Sequence, residues 1–88
     1  MKYYVYILKS KANPDRFYIG YTTNLEDRME DYKDPKASAY TRQYAPWELE
    51  TYIVFKSEVL AQQFELYLKS YSGRAFLKKR LITITRKL

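Results

Sequence analysis

Tyr3 to Lys9 reads YYVYILK, and its alternation is apolar on both sides: Tyr4, Tyr6 and Leu8 point one way, Tyr3, Val5 and Ile7 the other. A strand with water-avoiding side chains on both faces belongs in the middle of a sheet with cover on each side. A chain of 88 residues has few ways to meet that requirement. It must supply neighbouring strands and enough amphipathic helix for two faces, around one modest core.

The following segments read that way. Ser10 to Asp15 (SKANPD) is a turn-rich loop broken at Asn-Pro. Arg16 to Tyr21 is a second strand, close enough to pair with the first as an antiparallel hairpin. Gly20 ends it, where the backbone bends sharply or approaches something closely. Residues 23–32 then become an amphipathic helix. Thr23 is the expected N-cap, with Glu26 three residues on as a capping box requires. Leu25, Met29 and Tyr32 form one stripe facing a core. Arg28 lies on the edge of that stripe, either snorkelling along apolar surface or aimed at an anion beside the sheet. Tyr18 could reach the same pocket from its strand.

KDPKAS, with Pro35, is a polar loop, and residues 39–44 (AYTRQY) read as a short helix stopped by Pro46. A third strand runs over 48–55, with Leu49, Thr51, Ile53 and Phe55 on one face and Tyr52 and Val54 on the other. Ser57 caps a helix over 58–71 whose stripe is Leu60, Ala61, Phe64, Tyr67, Leu68 and Tyr71. Gly73 is the expected C-cap or hinge. A last helix over 74–82 is basic outside and apolar at Phe76, Leu77 and Leu81. The expected architecture is one α+β domain over 1–83 with a C-terminal tail over 84–88: a central three-stranded antiparallel sheet flanked by helices.

Two absences restrict the chemistry. Without cysteine there is no disulfide framework and no thiolate metal site. Without histidine there is no imidazole acid–base chemistry and no His-ligated zinc. Any hydrolysis must use Tyr, Lys, Arg, Asp or Glu, and any metal must be a hard cation held by oxygen. No apolar run approaches the ~18 residues of a membrane span, and the N-terminus has no signal-peptide pattern. A soluble, cytoplasmic protein without membrane contact is expected.

The formal charge is +6, unevenly spread. Glu65 is the last acidic residue; Lys69, Arg74, Lys78, Lys79, Arg80, Arg86 and Lys87 follow without counter-charge. Such a segment attracts polyanions, most simply nucleic-acid phosphates; the alternative is a solvated basic helix face. Eleven tyrosines offer stacking surfaces as well as core. Glu65 itself falls at the margin of its helix's apolar stripe, where a salt bridge, a solvent-facing carboxylate and a metal ligand or acid all fit.

These residues, in this order, resemble the GIY-YIG nuclease family. The first strand carries YVY (Tyr4, Val5, Tyr6) where the family has GIY, and the second an intact YIG (Tyr18, Ile19, Gly20). Arg28, in NLEDR, matches the family's helical arginine; Glu65, in ELYLK, its metal-binding glutamate. Tyr32 falls where the excinuclease C nuclease domain has a tyrosine, and YTRQYAPWEL resembles a stretch of the small stand-alone members. Two positions depart: Tyr4 replaces the first glycine, and Tyr21 follows YIG where several nuclease branches carry lysine. The resemblance implies hydrolysis of DNA phosphodiester bonds, with Tyr6, Tyr18, Arg28, Tyr32 and Glu65 as catalytic residues. It implies Mg²⁺ or Mn²⁺ on Glu65, and Tyr18 or Tyr6 orienting or deprotonating water. Arg28, Arg42, Lys69, Arg74, Lys78, Lys79 and Arg80 are the expected nucleic-acid contacts. The alternative is a non-catalytic nucleic-acid-binding or protein-interaction module on the same fold.

Overall fold

The computed structural model describes residues 1–33 and 38–83. Most of the KDPKAS loop and the 84–88 tail, including Arg86 and Lys87, lie outside the described residues. Three strands, β1 (Tyr3–Ser10), β2 (Phe17–Thr22) and β3 (Trp47–Phe55), form an antiparallel sheet in the order β2-β1-β3. The two-sided apolar strand is therefore central, as its pattern requires. Among the described residues, four helices complete the domain: α1 (Leu25–Asp31), α2 (Ala39–Gln43), α3 (Glu58–Lys69) and α4 (Tyr71–Arg80).

The two faces of the sheet are covered unequally. Val5, Ile7 and Ile19 pack with Ala61, Leu68 and Leu77 from α3 and α4 into the buried core. On the opposite face, Tyr6 and Leu8 are buried, but α1 buries none of its own residues completely. Leu25, Arg28, Met29 and Tyr32 are half-buried there, so the expected stripe exists as a partial cover.

Four local expectations are corrected. First, β2 does not end at Gly20. It continues to Thr22 because Tyr21 and Thr22 still pair with Val5 and Tyr4. Second, the cap of α1 moves accordingly from Thr23 to Asn24, whose side chain accepts from the Asp27 N–H at 3.1 Å. Thr22 Oγ1 accepts from the Asn24 N–H at 3.1 Å, so the Thr23–Glu26 box is replaced by a cap one residue later.

Third, Leu49 changes sides. Ile7 pairs with Thr51 but Leu8 pairs with Leu49, leaving Glu50 as an extra residue in β3. That bulge reverses the alternation beyond it. Leu49 joins Tyr4, Leu25 and Met29 on the α1 face, while Thr51 donates its hydroxyl to the Leu81 carbonyl on the other.

Fourth, the last two helices meet at Ser70, not Gly73. Ser70 ends α3 and caps α4, accepting from the Gly73 N–H at 3.1 Å. Gly73 is buried inside α4 against the end of α3: a Cβ there would lie 1.6 Å from the Tyr67 carbonyl oxygen. It permits close helix contact rather than acting as a hinge. Because the axis turns at Ser70, Tyr71 leaves the expected stripe and stands 94 % exposed. Leu60 and Tyr67, also expected in the stripe, are turned out to solvent.

Candidate functional site

The register of β1 and β2 assembles a tyrosine cluster. Tyr6 pairs with Gly20 and Leu8 with Tyr18, so all four positions belong to the α1 face. Tyr32, just after α1, brings its hydroxyl to 2.7 Å from the Tyr6 hydroxyl. Its ring lies edge-on to both Tyr6 (6.1 Å between centroids) and Tyr18 (5.7 Å). Gly20 makes this possible. A Cβ at Gly20 would sit 2.2 Å from the Tyr6 ring carbon and hydroxyl, so only a residue without a side chain lets the phenol lie across β2. Of the two readings of Gly20, close approach is the correct one.

Arg28 closes the cluster from α1. Its guanidinium faces the Tyr6 and Tyr32 hydroxyls and stands 3.6 Å from Asp31, with 43 % of the side chain exposed. It therefore rests on the sheet beside the phenols while keeping a surface open to an anion.

The electrostatics keep these phenols neutral. Burial raises the Tyr6 pKa; the Tyr32 hydrogen bond and the Arg28 charge pull it down without cancelling that rise. Burial also raises Tyr32, and its hydrogen bond to Tyr6 raises it further. Burial works against the Arg28 charge, but Tyr6, Tyr32 and Asp31 outweigh it and hold the guanidinium protonated. Since both folded phenols titrate above their ordinary value of about 10, their contribution to stability is complete below about pH 10. It is lost as pH rises through the folded values. Chemical denaturation is thus expected to give a flat midpoint from neutral pH to about 10 and a falling one beyond. Tyr32→Phe should make that fall shallower, and an unchanged alkaline limb would contradict the raised values.

Glu65 lies on the other side of β2. Its carboxylate is 20 % exposed and bonded to Lys69 at 3.2 Å, one turn along α3. Nearby, Tyr21 donates to Glu58 at 2.8 Å. Partial burial together with the Glu58 and Glu65 charges pushes the Tyr21 phenol up to about 12. The residue after Gly20 is thus a neutral phenol tied to a carboxylate. Lys69 and Arg74 line a cavity of about 350 Å³ with Phe17, Tyr18, Ile19 and Tyr40. Tyr18 thus touches the Tyr6–Tyr32 cluster on one side and the cavity that Lys69 shares on the other. The five expected catalytic residues fall into two groups: Tyr6, Tyr18, Arg28 and Tyr32 together, and Glu65 around the edge strand from them.

The remaining basic residues are spread. Arg42 is exposed in the last turn of α2; Lys78, Lys79 and Arg80 form the last turn of α4, where they also complement the helix dipole. Sequence reading did not single out the aromatic wall around Tyr18. Tyr40 and Trp47 stack at 6.0 Å, and both contact Tyr18. The bunching of aromatics around Pro46 was the available signal, but only the fold brings it to Tyr18.

Metal fit depends on donor chemistry. Among the described residues, no three acidic groups gather. A hydrated Mg²⁺ commonly uses only one or two protein carboxylates. Glu65 is partly accessible and its partner is a flexible lysine, so it suits an ion of that kind.

The GIY-YIG catalytic domain matches residues 2–80. The chain belongs to the GIY-YIG family. Among relatives of this GIY-YIG protein, a UPF0213 protein of Staphylococcus haemolyticus is 38% identical over 77 residues, covering 88% of this chain and 92% of the relative. One from Natronomonas pharaonis is 36% identical over 80 residues, covering 91% and 89%. The solution structure of a UPF0213 protein from Bacillus halodurans superposes with a TM-score of 0.55 at 32% identity, covering 90% of this chain and 84% of that one. The α+β fold is thus shared with a small stand-alone GIY-YIG group. Among the described residues, no helix is long and apolar enough to cross a membrane.

Proposed function

We propose that this protein hydrolyses phosphodiester bonds in DNA, using Mg²⁺ or Mn²⁺ held by Glu65. The observation that carries the reading is the Tyr6–Tyr32 hydroxyl pair under the Arg28 guanidinium, with Gly20 clearing the space and Lys69 and Glu65 around the edge of β2. Arg28 binds a phosphoryl oxygen and stabilises the charge that develops on it, work suited to a planar fork of donors. Tyr6 holds its hydroxyl between Tyr32 and the Arg28 guanidinium. Tyr6 is fully buried, so it fixes the Tyr32 hydroxyl beside Arg28, and Tyr18, 36% exposed against the Tyr32 ring, is the phenol that orients the attacking water. Tyr18 holds the Tyr32 ring and borders the cavity of Lys69 and Arg74, which guides the phosphate chain past β2. Glu65 would hold the divalent ion, which would supply Lewis acidity and charge stabilisation for the leaving oxygen.

The test is a plasmid-nicking assay with and without EDTA, repeated on branched and single-stranded DNA. Wild type is expected to nick only with Mg²⁺ or Mn²⁺. Arg28→Ala should lower the rate by about 10²–10³-fold, as loss of a preorganised charge stabiliser does. Tyr18→Phe, which keeps the ring and removes only the exposed hydroxyl, should lower the rate more than Tyr6→Phe, whose hydroxyl is buried against Tyr32. Absence of metal-dependent cleavage on all three substrates would overturn the nuclease reading and leave a binding module.

DNA affinity is expected to fall steeply with salt. Neutralising Lys78, Lys79 and Arg80 together should reduce the slope of log K against log[salt] by about 3, since each of these cations that pairs with a phosphate adds roughly one to it. A salt-independent affinity, or the same slope in the triple variant, would remove α4 from the nucleic-acid surface.

A further inference from the structure

Helix α3 keeps its charges on one flank. Glu58, Glu65 and Lys69 follow at i, i+7 and i+11; Tyr21 of β2 bonds to Glu58 and lies within the field of Glu65. The remaining solvent-facing residues are Val59, Leu60, Gln62, Gln63, Leu66 and Tyr67, none of them charged. Val59, Leu60 and Leu66 are 61%, 55% and 67% exposed. Phe76 of α4 extends the patch, its ring 6.1 Å from that of Tyr67. An amphipathic helix ordinarily turns polar residues to water; a second apolar face of this size marks an interaction surface.

We propose that this face of α3 is the contact surface of a homodimer, in which two α3 helices pack antiparallel about a two-fold axis near Gln63. The apolar run favours a second copy. Val59, Leu60, Leu66, Tyr67 and Phe76 each stand 38% to 67% exposed on this face, a run of large apolar side chains suited to the core of a standard interface, in which each partner buries about 800 Å². The pattern is self-complementary. An antiparallel pair sets the Val59 end of one helix against the Leu66 end of the other, as an isologous contact requires. Gln63 lies between them, and an amide is its own hydrogen-bonding complement. Charge points the same way. Each copy carries +6, so two copies meet with least repulsion at an uncharged surface. A strongly charged partner would find no counter-charge there. The flank with Glu58, Glu65 and Lys69 stays open in both copies. Dimerisation through this face is independent of whether the site cleaves DNA.

Sedimentation or light scattering of the full chain from micromolar to millimolar concentration is expected to reach twice the mass of one chain. Val59→Glu and Leu66→Glu, both at exposed positions, should keep the circular dichroism and melting of the wild type. Each should weaken association by at least about 100-fold, through an unpaired charge in an apolar contact. The chain has no cysteine, so a single introduced thiol reports proximity cleanly. Under a mild oxidant, Gln63→Cys should form a cross-linked dimer much faster than Lys11→Cys in the exposed β1–β2 loop, and adding Leu66→Glu should abolish the difference. A monomer at every concentration with equal cross-linking at the two positions overturns the proposal and leaves the face to another protein. A dimer that survives both glutamate variants unchanged overturns it too.

Discussion

Glu65→Ala is expected to abolish metal-dependent cleavage of DNA while leaving the fold and most DNA affinity in place. The carboxylate is largely covered but lies outside the cluster that forms the hydrophobic core, so its removal opens no core cavity. The lost i, i+4 bridge to Lys69 is a surface pair, worth about 0–1 kcal/mol. Its loss frees the Lys69 ammonium beside the Tyr18 cavity, so DNA affinity should hold or rise slightly. Glu65→Gln is the sharper variant, because it keeps the shape and removes only the anionic donor that a hard cation needs. Isothermal titration with Mn²⁺ should give binding to wild type and none to either variant. Nicking that continues undiminished in Glu65→Gln would place the ion elsewhere or reveal a contaminant.

Gly20→Ala is expected to damage both stability and site. The added methyl would sit 2.2 Å from the Tyr6 ring, and Tyr6 is fully buried with its hydroxyl bonded to Tyr32. The ring cannot yield without breaking that bond and shifting central strand β1. Overpacking of this kind costs about 1–3 kcal/mol. In a domain of this size that corresponds to a melting temperature lower by roughly 5–20 °C. Tyr6→Leu removes the ring that clashes. The double variant Gly20→Ala/Tyr6→Leu should therefore lose clearly less stability than the two single losses added together. Strict additivity would mean that Gly20 is required for some reason other than the Tyr6 phenol.

Much of the domain is written in local patterns. The period-two alternation of residues 3–9 makes β1 central, because water-avoiding side chains on both faces require cover on both. Ser57 and the residues after it define the start of α3, since a capping hydroxyl satisfies an N–H within three positions. The lack of histidine and cysteine restricts the chemistry to phenols, carboxylates and cations without any structure. The motifs YIG, NLEDR and ELYLK suggest the family whose domain matches residues 2–80.

Other features belong to the tertiary structure alone. Whether Gly20 bends the chain or admits a neighbour depends on Tyr6, fourteen positions earlier but directly opposite in the register. The face chosen by Leu49 depends on a bulge at Glu50, which exists only in the pairing of β3 with β1. The turn at Ser70 and the burial of Gly73 arise from α4 packing back on α3, and they decide that Tyr71 faces water. The separation of Glu65 from the tyrosine cluster follows from β2 being an edge strand, with α1 on one face and α3 on the other. Caps and periodicity act over a few residues and can be read along the chain. Register, edges and close approaches join distant segments, so they are decided only when those segments compete for the same space.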